Sequence, residues 1–382
     1  MVAQDDDPGA LSTFQILRSA VADEIGWRWP READGATGGM SGEPAGAAAA
    51  GRADGTTGGA GAATGMATLH RHAMLPPGKL LRPVLLLCSA LATGGSLYAT
   101  VPAAVGFEAA HVGSLLHDDI IDQDGERRGR PAAHTVFGPG KAIVAGNALY
   151  FEWFSALAEC ARRGIPVDRV ALAMQVQSAA GSRVCGGAYD EITMAGAIDS
   201  TVEEYLRMAE AKTAVLFEAA CRVGAVLAGA EKPVIDAVGR FGHHLGVAFQ
   251  LRDDLLPYDA PDTEGKPPVS DLRNRRPTLP VLLAYRGAGP ADRDAMRRAL
   301  LGGDDPASAL TAMRGLLTRL GALDTARAMV HEEADLACAA LARLRSDDHA
   351  YTAVLLHAAR RLSVRGVPSP DPSGVQDVRS TP

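Results

Sequence analysis

The sequence predicts an all-α protein, a single domain of ten or more helices. Apolar residues recur at helical spacing in long runs that glycines and prolines separate. No segment keeps the apolar–polar alternation of a strand, and no strand–helix–strand rhythm or glycine-rich phosphate loop is present. Aromatic residues make up only 5% of a chain that is 47% hydrophobic, which is typical of a core of packed Ala- and Leu-rich helices.

The totals exclude several classes of function. A formal net charge of −7 over 382 residues disfavours nucleic-acid binding. No uncharged apolar run approaches the ~18 residues of a membrane span. The 5 cysteines are scattered and form no CxxC pair, which argues for a reducing compartment, the cytoplasm, and against disulfides or zinc. The acidic N-terminus does not resemble a secretory signal.

The chain divides into four parts by composition. Residues 1–30 carry apolar positions at helical spacing and predict an N-terminal helix. Residues 31–67 are mostly Gly, Ala and Thr, so we expect a flexible insert. Residues 68–363 predict the main helical domain, and the polar residues 364–382 predict a disordered tail.

Within the main domain, helix boundaries follow from caps and breaks. Thr201 and Glu204 form a capping-box signature, which predicts a helix start. The glycine pair at 186–187 predicts the end of a preceding helix. Further helices are expected over residues 102–123, 140–162, 166–185 and 234–256.

Paired aspartates end the apolar stretch FEAAHVGSLLHDDIIDQD. Asp118 and Asp122 are four residues apart and share a helix face, with Asp119 beside them. Like charges placed so closely repel, and a divalent cation with oxygen ligands would reverse that cost. Arg127 and Arg128 follow, and guanidinium groups suit phosphate. The pattern predicts a magnesium–diphosphate site; the alternative is a solvated helix end.

A second stretch, FQLRDDLLPYD, repeats this theme. Asp253 and Asp254 follow an apolar run, with Gln250 one turn earlier and basic residues soon after. Two such helices are less expected by chance than one. If they pack face to face, their carboxylates line opposite walls of one cavity, where magnesium ions could hold a diphosphate.

Two basic residues, Lys79 and Arg82, begin a helix in PPGKLLRP. Helix N-termini favour acids, so bases at this position imply a nearby anion. The alternative is a pair of solvated side chains.

Five motifs in this order resemble those of the trans-isoprenyl diphosphate synthase family (polyprenyl synthetases), of the geranylgeranyl and polyprenyl type. They are PPGKLLRP, LLHDDIIDQDGERRGRPAAH, KT at residues 212–213, FQLRDDLL and GKPPVSDLRNRRPTLP. The resemblance covers nearly all of residues 74–363. It implies an orthogonal helical bundle around a central cavity.

The resemblance also implies roles for individual residues. Two or three Mg²⁺ ions would be held by Asp118, Asp119, Asp122 and Asp253, with Asp254 in support. The allylic diphosphate would be held by Arg127, Lys212, Thr213, Gln250, Lys266 and Arg276. Isopentenyl diphosphate would be held by Lys79, Arg82, His111 and Arg128, although without the resemblance His111 reads as a core histidine. The residues that carry the chemistry would be Asp118, Asp119, Asp122, Lys212 and Asp253.

The activity implied is magnesium-dependent, head-to-tail condensation of an allylic diphosphate with isopentenyl diphosphate. A homodimer is implied too, with the Ala-rich residues 141–162 as candidate interface. Two alternatives stay open: a cyclase or lyase on the same scaffold, and a non-catalytic partner subunit.

Several positions depart from the family's motifs. Pro257 stands where the second motif has its third aspartate and is expected to end the helix, with Asp259 as a candidate substitute in a different backbone setting. Where the family commonly has GQxxD, residues 186–190 read Gly-Gly-Ala-Tyr-Asp, so the glutamine is missing and Asp190 stands at the aspartate.

Product length is expected to depend on the helix before Asp118. In the family, bulky residues four and five places before the first aspartate floor the product pocket. Ser114 and Gly113 occupy these places here, and Ala110 is also small. Phe107 is the first large residue down the helix and is expected to close the pocket. We therefore expect products longer than C15, of C20 to C30.

Overall fold

The computed structural model describes residues 7–30, 59–259, 269–302, 305–342 and 349–363, and the all-α fold class is confirmed. The first helices are α1 (Pro8–Arg28), α2 (Gly59–Met74), α3 (Leu81–Leu91), α4 (Leu97–Ile121), α5 (Ala133–Phe137), α6 (Pro139–Arg162) and α7 (Val167–Met194). A hairpin of two-residue strands, β1 (Glu126–Arg127) and β2 (Arg130–Pro131), lies between α4 and α5.

Helix α8 (Val202–Ala209) leads directly into a π-helical turn at Glu210–Ala214. The helices after this turn are α9 (Val215–Ala228), α10 (Lys232–Asp259), α11 (Ser270–Arg273), α12 (Leu279–Gly287), α13 (Pro290–Leu301), α14 (Pro306–Arg319), α15 (Ala322–Leu341) and α16 (His349–Ser363). The capping box is confirmed, since the Thr201 side chain accepts from the Glu204 amide and the Glu204 side chain accepts from the Thr201 amide.

The core is built around α3, α4, α9 and α10. Helix α9 packs between α3 and α10, α4 packs along α6, and α10 packs on α15. Helix α4 is buried on most of its surface because it is apolar all round. Glycines allow close approach: a Cβ on Gly242 would lie 2.6 Å from the Phe217 carbonyl oxygen. These helices therefore form the walls that position the site. Among the described residues, no helix is both long enough and apolar enough to cross a membrane.

Helix α2 corrects the boundary of the expected flexible insert. The helix begins at Gly59, inside the 31–67 stretch. Its later part carries Leu69 and Met74, which are buried, and it packs against α4, α5 and α6. A helix rich in small residues is thus stabilised by tertiary packing rather than by its own propensity. The remainder of the insert, residues 31–58, and the tail at 364–382 lie outside the described residues.

Two predicted helix ends are wrong. Helix α7 continues through both glycines at 186–187 and ends only at Met194, because Gly187 is buried against the π-helical turn. Helix α10 continues through Pro257 to Asp259. Proline removes one backbone hydrogen bond, and in the last turn little helix remains to be disrupted. The Pro257 carbonyl also accepts a hydrogen bond from Arg314 Nη2 at 2.7 Å.

Candidate active site

The helices enclose a cavity of about 1130 Å³ that brings both aspartate motifs together with two groups of basic residues. The first cationic group is Arg127, Lys212 and Arg276, and the second cationic group is Lys79, Arg82 and Arg128. The predicted site residues that line it are Lys79, Arg82, His111, Ser114, Asp118, Arg127, Arg128, Lys212, Thr213, Gln250, Asp253, Asp254 and Arg276. Helices α4 and α10 thus present their carboxylates to one space, as the sequence predicted. Lys266 lies outside the described residues.

The carboxylates at the end of α4 differ in environment. Asp118 lines the cavity. Asp119 is buried and accepts a hydrogen bond from Arg127 Nε at 2.8 Å; burial raises the pKa of its carboxyl group, although Arg127 opposes the shift. Asp122 caps the C-terminus of α4 and forms an ion pair with Arg276. Two arginines predicted to hold diphosphate, Arg127 and Arg276, are therefore paired with these aspartates.

Asp124 links the end of α4 to the segment after α10, a role that the sequence did not reveal. It is buried, forms an ion pair with Arg273, and accepts from Ser270 Oγ at 3.4 Å. Arg273 also donates to the Asp122 carbonyl at 3.3 Å. These contacts fix the segment after α10 against the end of α4.

The two aspartates of α10 have different surroundings. Asp253 is exposed to the cavity. Asp254 is buried and accepts hydrogen bonds from Tyr205 Oη at 2.5 Å, Gln250 Nε2 at 3.0 Å and the Leu279 amide at 2.9 Å. Burial raises the pKa of Asp254 to about 7. Asp254 therefore ties α10 to α8 and α12, whereas Asp253 is available to a ligand.

Asp259 does not replace the missing third aspartate. Its side chain forms an ion pair with Arg327 of α15, and it is absent from the cavity lining. The helical register of α10, which continues past Pro257, directs Asp259 toward α15.

Lys212 and Thr213 occupy the π-helical turn, a feature that is frequent at functional sites. Lys212 Nζ donates to Glu191 Oε2 at 2.5 Å and lies 3.9 Å from Asp118 Oδ1. Burial acts to lower the pKa of Lys212, but the two carboxylates raise it above its usual value, so the ammonium stays charged. Thr213 Oγ1 donates to Gln250 Oε1 at 2.7 Å.

Glu191 is a cavity residue that sequence reasoning missed. It lines the cavity and pairs with both Lys212 and Arg276, the latter at 3.0 Å. Asp190, which the sequence matched to the GQxxD carboxylate, is exposed and does not line the cavity. On this turn of α7 it is thus Glu191, and not Asp190, that lines the cavity.

The second cationic group shares the cavity lining with a buried carboxylate, Glu108. Glu108 Oε1 lies 3.8 Å from Arg128 Nη2, and burial raises the pKa of the Glu108 carboxyl group. Arg82 is half-buried; its guanidinium carbon lies 4.5 Å from the centre of the Phe217 ring, and burial lowers its pKa to about 10. Lys79 lines the cavity beside them.

His111 lies among these cations as a neutral ring. Burial, followed by the charges of Arg82, Arg128 and Arg127, lowers its pKa well below 6.5. A neutral imidazole can donate a hydrogen bond to an anion without adding a charge. His111 is half-buried and lies in the cavity lining, so its ring packs among helices and can also reach a ligand.

The hairpin between α4 and α5 separates the two arginines that follow the first aspartates. Arg128 and Gly129 form its turn with φ angles of 53° and 69°, as a two-residue hairpin turn requires. Arg127 binds Asp119, while Arg128 reaches Glu108 and Gly78. The tight turn therefore gives one arginine to each cationic group.

Most of the residues that were expected to set product length lie outside the cavity lining. Ser114 lines the cavity, but Phe107, Ala110 and Gly113 do not. Phe107 is buried and packs edge-on against Trp153 of α6, with ring centres 5.2 Å apart. A Cβ on Gly113 would lie 2.9 Å from the Gly146 carbonyl oxygen.

The structure places Phe107 and Gly113 between α4 and α6, and their effect on product length stays a prediction. Helix α4 packs along α6, so its residues at 107 and 113 fill the helix interface. The cavity is bounded there by Tyr150 of α6 and by Cys185 and Ala188 of α7.

The carboxylates fit magnesium with phosphate as co-ligand. Among the described residues, no three His, Cys, Asp or Glu side chains converge tightly enough to hold an ion by themselves. Magnesium commonly takes one or two carboxylates and completes its shell with water and phosphate oxygens. Asp118 and Asp253, on opposite walls of the cavity, are hard oxygen donors of this kind.

Comparison with known proteins agrees with this geometry. Residues 65–313 match the family model described as polyprenyl synthetase. A short chain isoprenyl diphosphate synthase of Methanothermobacter thermautotrophicus is 34% identical over 279 residues, which is 72% of this chain and 84% of the relative. A (2E,6E)-farnesyl diphosphate synthase of Mycobacterium tuberculosis is 38% identical over 217 residues, 56% of this chain and only 59% of the relative's length.

Solved structures share the whole fold. A geranylgeranyl pyrophosphate synthetase from Pyrococcus horikoshii superposes with a TM-score of 0.77 at 27% identity, covering 93% of this chain and 98% of the other. A decaprenyl diphosphate synthase from Rhodobacter capsulatus gives a TM-score of 0.75 at 28% identity, covering 93% and 97%. With the matched model spanning most of the helical domain, the chain belongs to the polyprenyl synthetase family.

Proposed function

We propose that the protein condenses an allylic diphosphate with isopentenyl diphosphate, head to tail and with magnesium, to give a longer trans-polyprenyl diphosphate. One observation carries the proposal: a single cavity holds two cationic groups. The first, Arg127, Lys212 and Arg276, contacts the aspartates of α4, whereas Arg128 of the second lies beside Glu108. Two diphosphates could therefore bind together, one beside metal and one without it.

The aspartate side would bind the allylic substrate. Asp118 and Asp253 would hold magnesium, with Asp119 and Asp122 joining as their arginine partners turn to the diphosphate. Bound magnesium would neutralise the charge that develops on the leaving diphosphate. Lys212, which carries its proton, would donate to the same oxygens. The allylic C–O bond then breaks and leaves a carbocation within the cavity.

The opposite side would bind isopentenyl diphosphate. Lys79, Arg82 and Arg128 supply charge, and the neutral His111 supplies a further donor. Held in this position, the double bond of isopentenyl diphosphate attacks the carbocation and a carbon–carbon bond forms. A proton is then lost, with the departing diphosphate as its acceptor, and the product is again an allylic diphosphate. Apolar helices around the cavity keep out water that would quench the cation.

We propose products of C20 or longer. Ser114, a small residue, lines the cavity one turn before Asp118, so it leaves room for an elongating chain. Relatives include a geranylgeranyl diphosphate synthase of Methanosarcina mazei at 39% identity and a geranylfarnesyl diphosphate synthase of Aeropyrum pernix at 38%.

The same proposal includes two or three magnesium ions, a homodimer and a cytoplasmic location. Large apolar side chains on α6, namely Ile143, Val144 and Phe151, are exposed and support a subunit interface on that helix. All five cysteines are free thiols, which supports a reducing compartment.

Mass spectrometry of reaction products tests the proposal. Dimethylallyl, geranyl, farnesyl and geranylgeranyl diphosphates are each incubated with isopentenyl diphosphate and magnesium, with EDTA as the control. Elongated diphosphates of C20 or more are expected. A product that stops at C15 would refute the length assignment, and hydrocarbon formed without isopentenyl diphosphate would indicate a cyclase. No turnover with any primer would favour a non-catalytic subunit.

A further inference from the structure

Helix α1 contributes a residue to the cavity from far outside the recognised motifs. Arg18 lines the same cavity as Lys79, Arg82 and Arg128. It stands next to Leu17, on the edge of the apolar face that α1 buries. The first motif begins only near residue 76, so no motif in the sequence pointed to Arg18.

The position of Arg18 is fixed by the packing of α1. The helix packs against α3, which carries Arg82, and against α4, which carries His111. Its C-terminal end is anchored by Arg28, which donates to Glu152 of α6 at 2.6 Å and also pairs with Glu159. Arg18 is thus held beside the second cationic group by a docked helix rather than by a loop.

The guanidinium of Arg18 has unused donors. Its Nη2 donates to the Gly78 carbonyl oxygen at 3.4 Å, a long hydrogen bond to the residue before Lys79. Its Nε is buried and has no hydrogen-bond partner among the residues that the structure describes. An unpaired buried donor beside a cavity is costly unless a ligand accepts from it.

The charge of the group also favours this role. Arg18, Lys79, Arg82 and Arg128 supply four positive charges, and Glu108 supplies one negative charge, which leaves a net charge of +3. A diphosphate monoester carries about three negative charges once its terminal phosphate is fully ionised. Without Arg18 the group would fall one charge short.

We propose that Arg18 is a binding residue for the diphosphate of the second substrate, so that the N-terminal helix completes the isopentenyl diphosphate site. The inference rests on the proposed function. Arg18 contacts Gly78, the residue before Lys79, and its planar fork donates to phosphate oxygens in concert with Arg82 and Arg128.

Direct binding tests this without turnover. Isopentenyl diphosphate is titrated calorimetrically into the full-length protein in EDTA, so that the aspartate side contributes no metal-dependent binding. Wild type is compared with Arg18→Gln, Arg18→Lys and the control Arg240→Gln, which removes the same charge from an exposed position on α10. The KM of each substrate and the thermal unfolding midpoint are measured in parallel.

The dissociation constant should rise about 10- to 100-fold in Arg18→Gln, the loss expected for hydrogen bonds to a charged group. Arg18→Lys should recover part of the lost affinity for isopentenyl diphosphate, and Arg240→Gln should bind it as wild type does. The KM for the allylic substrate should stay within about twofold. An unchanged dissociation constant in Arg18→Gln, or equal weakening for both substrates with a lower unfolding midpoint, would overturn the inference. If wild type itself neither binds nor converts isopentenyl diphosphate, the proposed function fails, and this inference with it.

Discussion

Replacing Gly187 by alanine should disturb the lysine of the site from the neighbouring helix. Gly187 lies on α7, buried where that helix crosses the π-helical turn. An added Cβ would lie 2.8 Å from both the Ala211 carbonyl carbon and the Lys212 Cα, and closer still to the Lys212 amide nitrogen. All three atoms are backbone, so no flexible side chain can move aside.

The structure sets the size of the effect. Ordinary contact begins at 3.4 Å, so the turn or α7 must move by roughly 0.6 Å or more. Overpacking of this kind costs about 1–3 kcal/mol of unfolding free energy. Because Lys212 contacts Glu191 and Asp118, the movement also shifts a charge at the site, and a shift near 1 Å can cost about 100-fold in rate. We expect kcat/KM to fall about 10- to 100-fold.

The adjacent glycine provides a matched control. A Cβ on Gly186 would meet nothing within 4 Å. Alanine there should stabilise α7 by about 0.5–1 kcal/mol and leave turnover unchanged. Both variants are compared by steady-state kinetics of prenyl transfer and by urea unfolding. If Gly187→Ala is as active and as stable as Gly186→Ala, then contact with α7 does not position Lys212.

Three further predictions follow from single contacts. Asp253→Asn should lower the affinity for Mg²⁺ in the presence of diphosphate, measured by calorimetry. Asp254→Asn should retain that affinity but lose about 1–3 kcal/mol of unfolding free energy, because its amide nitrogen would face one of the buried donors. An equal loss of Mg²⁺ affinity in both variants would contradict this. Tyr150→Ala should open the cavity wall at α6 and lengthen products by at least one five-carbon unit, and an unchanged mass spectrum would refute it. The Glu218 carboxylate, whose Oε2 lies 3.8 Å from His243 Nδ1, raises the pKa of His243, so its stabilisation is present below about pH 6.5 and is lost as pH rises through the raised pKa. His243→Gln should therefore flatten the fall in urea-unfolding free energy above pH 6.5, by about 1 kcal/mol or less; an unaltered slope would exclude His243 as the cause.

The chemistry of the site was readable from the sequence because it depends on residue types at short spacing. Asp118 and Asp122 share a helix face whatever the helix packs against. Lys79 and Arg82 are different: α3 begins at Leu81, after Leu80 in the left-handed conformation, so Lys79 precedes the helix and only the fold brings both side chains to the cavity. Repetition of the acid–base pattern around Asp253 then predicted a cavity between two helices, and the structure has one. Helical periodicity similarly fixed the all-α class.

Only the tertiary structure decided which way each helix face points and which neighbouring helix it packs against. Whether a glycine breaks α7 depends on the neighbouring π-helical turn, which local sequence does not contain. Phe107 could be placed on α4 from sequence, but only the packing of α4 against α6 turned it from the cavity toward Trp153.

Glu191 and Arg18 were missed for the same reason. Each is an ordinary polar residue on an amphipathic helix, and its place in the cavity follows from how that helix docks. Spacing along one helix is set by the backbone, and so the sequence determines it. Contact between helices is set by side-chain packing across the whole core, and so it belongs to the tertiary structure.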